Sequence, residues 1–199
     1  MDSRGIAELI VHLGRIASGD GAVGGLTPVQ WAGLRYFARA NRFSRTPSAF
    51  AAFHGTTRGT ASQTIKGLVA DGYLTQTRSA TDGRSVRLDL TGKARAVLSD
   101  DPIEALVRAA DALPPGVRDK FSVALRRLLG SVALQAGKPL FGTCETCVHF
   151  QGDGCCQEGA TGHECGFVNE ALTADELAQL CINFNAGKTA PPRGGAAWR

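Results

Sequence analysis

The sequence lacks several features that would each define a class of protein. It has no run of about 18 apolar residues, so no segment predicts a membrane-spanning helix. With 43% hydrophobic residues, 20% charged residues and a mean hydropathy of -0.06, it has the composition of a globular protein. Residues 1–20 alternate polar and apolar positions at helical spacing, unlike a cleaved signal peptide. We therefore expect a cytoplasmic protein without membrane contact.

The sequence also lacks the motifs of the common enzyme active sites. It contains no P-loop, dinucleotide-binding fingerprint, nucleophile elbow or paired-carboxylate motif. The glycine-rich residues 19–25 fit a turn, and residues 187–199 are typical of a disordered tail. We therefore predict that the protein is not an enzyme.

Cysteine is absent from the first 143 residues, and all six cysteines lie between Cys144 and Cys181. Charge divides the chain near the same point. Residues 1–139 hold 19 Lys and Arg against 11 Asp and Glu, whereas residues 140–199 hold 3 against 7. The positive net charge of residues 1–139 favours binding to a polyanion. Clustered thiols in a reducing compartment indicate metal binding or redox chemistry more than disulfide bonds. This predicts a domain over 1–139, a cysteine-rich segment over 140–186 and a tail over 187–199.

Hydrophobic periodicity predicts a mainly α-helical first domain with one small β-hairpin. An apolar stripe over 6–16 predicts the first helix, and Thr27, Thr46 and Thr57 begin three more. Two strands, 74–79 and 85–90, flank a turn at 80–84, and Thr91 caps the next helix. Long helical patterns follow over 103–113 and 117–135.

This order of elements is typical of a winged helix-turn-helix, in which one helix enters the major groove of DNA. The fourth helix carries groups that hydrogen-bond to base edges and phosphates, and it has no carboxylate before Asp71. The hairpin adds three arginines, suited to a minor groove or the DNA backbone. We predict contacts to double-stranded DNA from Thr57, Arg58, Thr60, Ser62, Gln63, Lys66, Arg78, Arg84 and Arg87.

The segments LTPVQWAGLRYFARA and TRGTASQTIKGLVADGYLTQTRSATDGRSVRLDLTGKA resemble the MarR family of bacterial winged-helix transcription regulators. The resemblance covers 6–135, and the wing tip from Asp82 to Ser85 with the following LTGKA carries it most specifically. It implies a homodimer built from the first and last helices, which binds a pseudo-palindromic operator with recognition helices about 34 Å apart. It also implies that Arg84 enters a minor groove while Asp82 holds the wing geometry. A small-molecule ligand stays open.

The cysteine-rich segment holds enough thiols for one metal centre. Cys144 and Cys147 form a C-x-x-C pair on one turn, and two later cysteines complete four thiolates for tetrahedral Zn²⁺ or an iron–sulfur cluster. Four phenylalanines accompany the thiols, and such an apolar shell favours a cluster, whose solvent exposure it limits. They are Phe141, Phe150, Phe167 and Phe184.

The pattern GTCETCVHFQ, a later cysteine and LCINF resembles the cluster segment of high-potential iron–sulfur proteins. The resemblance implies a [4Fe–4S] cluster on Cys144, Cys147, Cys165 and Cys181, with [2Fe–2S] and Zn²⁺ as the alternatives. The sequence departs from that pattern at two adjacent cysteines and at a helical stretch, TADELAQL, before Cys181. The third ligand is therefore open, and the alternates are Cys155, Cys156 and His163.

These patterns predict a MarR-type DNA-binding repressor whose operator binding is controlled by an iron–sulfur cluster that senses iron, oxygen or redox state. Because the cysteine-rich segment directly follows the last long helix, we expect the coupling to run through that helix and the dimer spacing. The alternative is a structural zinc site, with regulation by a small aromatic ligand near Trp31, Phe37 and Phe53. A third hypothesis is an electron-transfer protein that carries a winged helix.

Overall fold

The computed structural model describes residues 1–18, 25–78, 86–152 and 162–187. The first part of the chain consists of seven helices and a two-stranded hairpin within these ranges, and the second part of a three-stranded sheet with a short helix. In chain order the elements are α1 (Ser3–Ser18), α2 (Pro28–Arg39), α3 (Pro47–His54), α4 (Arg58–Ala70), β1 (Leu74–Arg78), β2 (Val86–Leu90), α5 (Gly92–Leu98), α6 (Glu104–Asp111), α7 (Pro115–Gln135), a 3-10 turn (Cys144–Thr146), β3 (Phe150–Gly152), β4 (His163–Cys165), β5 (Glu170–Ala171) and α8 (Ala174–Leu177).

Threonine caps begin four of the helices, as the sequence predicts. The side chains of Thr27, Thr46, Thr57 and Thr91 each accept a hydrogen bond from the backbone N–H three residues further on. These bonds pair N–H groups that the first turn of a helix leaves without a partner. Gly55 ends α3 with φ 61°, a conformation that glycine adopts without strain.

The predicted hairpin is confirmed for the residues that the structure describes. Strands β1 and β2 pair antiparallel, with Leu74 opposite Leu90 and Arg78 opposite Val86. The tip, 79–85, lies outside the described residues, and with it the predicted wing residues Asp82 and Arg84.

The core lies between α2, α4 and the hairpin. Trp31 and Leu34 of α2 are fully buried together with Leu68 of α4 and Leu88 of β2. Gly33 permits this close packing, because a Cβ atom there would lie 2.9 Å from the Leu68 side chain. Two side chains of the second part, Phe141 and Ile182, pack against the same core, so the two parts of the chain share it.

The second part differs from the prediction in its secondary structure. Strands β3, β4 and β5 form an antiparallel sheet in that order, with Phe150 opposite Cys165. The strands have three residues or fewer, too short to show a periodicity in the sequence. The predicted helix over TADELAQL was wrong beyond α8, because Leu180 and Cys181 form isolated bridges to Ala40 and Gly142 instead.

Helices α1 and α7 expose much of their apolar surface. No residue of α1 is buried, and in α7 only Gly130 and Ala133 are buried. Within the described ranges, no helix combines the length and the apolar composition that a bilayer crossing requires.

Candidate nucleic-acid interface and cysteine site

The outer face of α4 carries the predicted DNA-contacting side chains. Ile65 and Leu68 are buried on its inner face, while Arg58, Gln63 and Lys66 are exposed on the opposite side. Ser62 is half-buried at the edge of that face. The amide and the two cations are therefore free to approach a DNA groove.

Two of the predicted contacts also cap α4. Thr57 accepts a hydrogen bond from the backbone N–H of Thr60 at 3.1 Å, and the two hydroxyl oxygens lie 2.9 Å apart. Both hydroxyls are therefore held at the start of the helix, where phosphates commonly meet protein backbone N–H groups.

The wing arginines differ in their surroundings. Arg78 is exposed on β1. Arg87 on β2 pairs with Asp89 at 3.1 Å, and Asp89 also pairs with Arg45 at 2.9 Å. Part of the charge of Arg87 is thus neutralised within the protein.

The four cysteines that the sequence singles out converge. Cys144 and Cys147 flank the 3-10 turn, Cys165 ends β4 and Cys181 follows α8. Their side chains line one small, largely enclosed cavity, although the chain separates them into three segments. The remaining lining residues are Asn41, Phe43, Phe150, Leu172 and Asn183.

Burial and mutual repulsion govern the ionisation of these thiols. The pKa of Cys144 rises to about 11, mainly because the thiol is buried and then because three other thiols face it. Burial likewise raises the pKa of Cys181, although the Asn41 side chain and the backbone N–H of Asn183 oppose this effect. Cys144 and Cys181 therefore hold their protons near neutral pH, and ionising them in this cavity would require a nearby cation.

The alternate ligands contribute less to this cavity. His163 lies on β4 with its ring 5.5 Å from that of Phe150, and its Nδ1 is buried without a partner among the described residues. Its side chain does not line the cavity. Cys155 and Cys156 lie outside the described residues. In the part of the chain that the structure describes, no group of three or more His, Cys, Asp or Glu side chains is arranged to hold a metal ion.

Arg42 attaches the cysteine site to the winged helix. Its guanidinium pairs with Glu176 at 2.6 Å and with Glu170 at 3.1 Å, and it donates a hydrogen bond to the carbonyl of Ala171 at 2.7 Å. Sequence reasoning missed this residue, because an arginine before α3 has no motif that relates it to acidic residues near the other end of the chain.

Backbone hydrogen bonds continue the attachment. The N–H of Leu180 donates to the carbonyl of Arg39 at 2.7 Å, and the N–H of Asn41 donates to the carbonyl of Leu180 at 2.9 Å. The N–H of Ile182 donates to Ser44 Oγ at 2.8 Å. The residues on both sides of Cys181 are therefore bonded to the connection between α2 and α3.

Comparisons with known proteins agree with this fold. Residues 24–85 match the sequence model of the MarR family. A MarR transcriptional regulator from Methanosarcina mazei Go1 is 21% identical, with a TM-score of 0.54 over 67% of this chain and 99% of that one. FabT of Streptococcus pneumoniae, solved in complex with DNA, is 21% identical with a TM-score of 0.52 over 66% and 99%. MepR of S. aureus, also solved with DNA, is 18% identical with a TM-score of 0.50 over 66% and 98%. No curated protein matches the chain significantly.

The fold of the first part of the chain is that of a winged helix-turn-helix. More particularly, residues 24–85 are similar in sequence to the MarR family. The prediction of a winged helix is confirmed.

Proposed function

We propose that this protein is a homodimeric repressor whose affinity for a pseudo-palindromic operator is set by an iron–sulfur cluster bound to Cys144, Cys147, Cys165 and Cys181. One observation carries the proposal: these four cysteines line a single cavity, and the residues beside Cys181 are hydrogen-bonded to the connection between α2 and α3. A change at the cavity therefore reaches the DNA-binding elements directly.

Operator binding is supported by the outer face of α4. Arg58, Gln63 and Lys66 are exposed there at the position of a recognition helix, and Arg78 extends the basic surface onto the wing. The two solved relatives FabT and MepR carry the same fold and were crystallised with DNA.

Dimerisation is supported by the apolar surface of α1 and α7. The apolar side chains of the α1 stripe are 39% to 62% exposed, and those of α7 include Leu129 and Val132, each 62% exposed. A large exposed apolar surface commonly marks an interaction site. A second copy of the chain is the natural partner, since both faces belong to helices that flank the DNA-binding elements in sequence.

A cluster suits the cysteine site better than a single zinc ion. Tetrahedral Zn²⁺ holds its four sulfurs at about 2.3 Å from one centre, whereas a [4Fe–4S] or [2Fe–2S] cluster spreads them around several metal atoms. The thiols of all four cysteines line one cavity. Phe43, Phe150 and Leu172 provide the apolar walls that limit solvent access to a cluster.

The alternative, a structural zinc site with a small aromatic ligand, is favoured by one other cavity. It measures about 330 Å³ and lies between α2, β2 and α5. Phe37 and Leu98 supply apolar lining, and Arg45 and Arg95 supply positive charge for an organic anion. Trp31 is buried in the core and Phe53 lies elsewhere, so of the three predicted aromatic residues only Phe37 lines this cavity.

Anaerobic purification tests the proposal. We expect a brown protein that absorbs near 400 nm, as four-thiolate clusters do, with iron and acid-labile sulfide in each chain and an operator affinity that changes when the cluster is removed. A colourless protein with one zinc per chain would select the alternative, and the 330 Å³ cavity would then be tested with aromatic acids.

Cysteine variants test the ligand set. Replacing any one of Cys144, Cys147, Cys165 and Cys181 by serine is expected to abolish the visible absorption. The matched controls are Cys155→Ser and Cys156→Ser, which we expect to keep it. Loss of the cluster in a control, with retention in Cys165→Ser, would assign the third ligand to the adjacent pair.

A further inference from the structure

We infer that Asn41 transmits the state of the cysteine site to the wing. In this inference the amide N–H of Asn41 donates a hydrogen bond to a sulfur of the bound cluster. Asn41 lies in the turn between α2 and α3, and the same turn is bonded to strand β2. This inference rests on the proposed function, since it needs a cluster in the cavity. It replaces the route through α7 that sequence adjacency predicts.

Asn41 carries an unused donor into the cavity. Its side chain is 1% exposed and lines the cavity together with the four cysteines. Within the described residues, its Nδ2 has no hydrogen-bond partner of normal geometry, which is costly for a buried amide. The amide faces the sulfur of Cys181, whose pKa it lowers. The orientation of the amide is fixed, because Oδ1 accepts hydrogen bonds from the Ser44 N–H at 3.1 Å and from Ser44 Oγ at 2.8 Å. A donor so placed fits an anionic, sulfur-rich ligand.

The same turn is bonded to the chain around Cys181. Ser44 Oγ, which donates to Asn41, accepts a hydrogen bond from the backbone N–H of Ile182 at 2.8 Å. The N–H of Asn41 itself donates to the carbonyl of Leu180. The residue that follows Cys181 and the residue that precedes it are therefore tied to Asn41 and Ser44.

The turn between α2 and α3 is also bonded to strand β2 of the wing, through Arg45. Arg45 accepts a hydrogen bond on its carbonyl from the N–H of Leu88 at 2.8 Å, and its guanidinium pairs with Asp89 at 2.9 Å. Its Nε donates to the carbonyl of Ala40 at 2.9 Å, which closes the turn on itself. A shift of Asn41 therefore moves the base of β2, and with it the strand that carries Arg87.

Hydrogen bonds to cluster sulfurs stabilise the more negative state and so raise the reduction potential. Removing the Asn41 donor is thus expected to lower the potential and to weaken the coupling to DNA. A residue that only supports the fold would not change the potential. The two readouts together distinguish a positioning residue from a packing residue.

The test uses the full chain, purified without oxygen, as wild type and as Asn41→Leu, Asn185→Leu and Ser44→Ala. Asn41→Leu keeps the branched shape of the side chain and removes both the Nδ2 donor and the Oδ1 acceptor of the two bonds from Ser44. Asn185→Leu is the matched control, because Asn185 lies in the cysteine-rich part but is exposed and does not line the cavity. Ser44→Ala removes the bond to Ile182 while the backbone N–H of residue 44 still orients Asn41. The measurements are the reduction potential and the ratio of operator Kd between the cluster-free and cluster-loaded forms.

For Asn41→Leu we expect a lower potential and a Kd ratio reduced on the order of tenfold, the effect of one hydrogen bond to a charged group. Asn185→Leu keeps both values of the wild type. Ser44→Ala keeps the potential and reduces the ratio. If Asn41→Leu fails to fold or to hold the cluster, the Kd ratio of Ser44→Ala tests whether the turn couples the cysteine site to DNA binding.

Two different results would overturn the inference. In the first, the wild type binds iron and sulfide and its operator Kd depends on the cluster, but Asn41→Leu has the reduction potential and the Kd ratio of the wild type. This result overturns the role of Asn41 and leaves the proposed function standing. A wild type without iron, or one whose operator Kd is the same with and without the cluster, overturns the proposed function and the role of Asn41 with it.

Discussion

At the residue scale, the cysteine site depends on close contacts that leave no space for an additional atom. Gly142 lies beside the Phe184 ring, and its carbonyl accepts a hydrogen bond from the N–H of Cys181 at 2.9 Å. A Cβ atom at this position would lie 2.5 Å from the ring. The absence of a side chain at Gly142 thus positions the backbone of Cys181.

Gly142→Ala is expected to displace Phe184 and to destabilise the protein by about 1–3 kcal/mol, the usual cost of overpacking. Urea unfolding measures the change. Gly116→Ala is the control, because a Cβ atom at Gly116 meets nothing within 4 Å. Equal stability of the two variants would mean that Phe184 moves freely away from Gly142.

A second close contact at this scale is the ion pair between Arg35 and Asp101. Arg35 Nε lies 2.8 Å from one carboxylate oxygen and 3.0 Å from the other. The Asp101 side chain is 5% exposed and that of Arg35 is 20% exposed, so solvent screens the ion pair only weakly. This pair joins α2 to the segment before α6.

Asp101→Asn is expected to cost about 3 kcal/mol, because it leaves the guanidinium of Arg35 partly buried without its counter-charge. The free energy of unfolding is measured at one protein concentration, since a dimer gains stability with concentration. Asp111→Asn is the control: its pair with Arg118 is open to solvent, and we expect a change within about 0.5 kcal/mol. If Asp101→Asn lowers the free energy of unfolding no more than the control does, the Arg35–Asp101 pair does not stabilise the protein as we expect.

At the scale of the elements, α4 and the hairpin are held in place from different sides. The inner face of α4 packs on α2 through Leu68, which leaves its outer face open. Strand β2 is instead bonded to Arg45 in the connection before α3. Separate parts of the core therefore position the two elements that we propose to bind DNA.

Lys66→Ala is expected to reduce operator affinity and to lower the slope of log K against log salt by about 1, the value of one phosphate contact. Binding is measured by fluorescence anisotropy over a series of salt concentrations. Arg108→Ala on α6 removes the same charge from another exposed position and is expected to keep the slope. An unchanged slope for Lys66→Ala would remove this residue from the predicted interface.

At the scale of the whole molecule, the chain has a well-packed centre and two unpartnered apolar faces. The core around Trp31 joins the winged helix to the cysteine site, whereas α1 and α7 contribute little to it. The single chain therefore leaves on its surface the area that a dimer would bury.

Leu129→Glu is expected to convert the proposed dimer to monomers and to weaken operator binding about 100-fold, because two linked half-site contacts become one. Analytical ultracentrifugation gives the mass. Val29→Glu is the matched control, since Val29 is 57% exposed but lies on α2, away from the two apolar faces. A dimer that survives Leu129→Glu would place its interface elsewhere.

Local chemistry in the sequence was sufficient for most of the winged helix. Threonine caps, Pro28 and Pro47, the glycine at the end of α3 and the alternation in β2 each act within a few residues, so they predict elements without knowledge of the fold. The same reasoning failed at TADELAQL, where contacts of Leu180 with the distant α2 end prevail over a helical pattern. It also missed β3 to β5, whose strands are too short to carry a periodic signal.

By itself, the sequence determined the class of fold, the basic outer face of α4 and the four cysteines that lie together. Only the tertiary structure decided that Arg42, Asn41 and Ser44 belong to the cysteine site and that this site is joined to the connection before α3. The reason is physical. Caps, turns and periodic stripes are local interactions, whereas the bonds of Arg42 to Glu176 and of Ile182 to Ser44 join residues more than 130 positions apart. Packing of the two parts on one core brings these residues together.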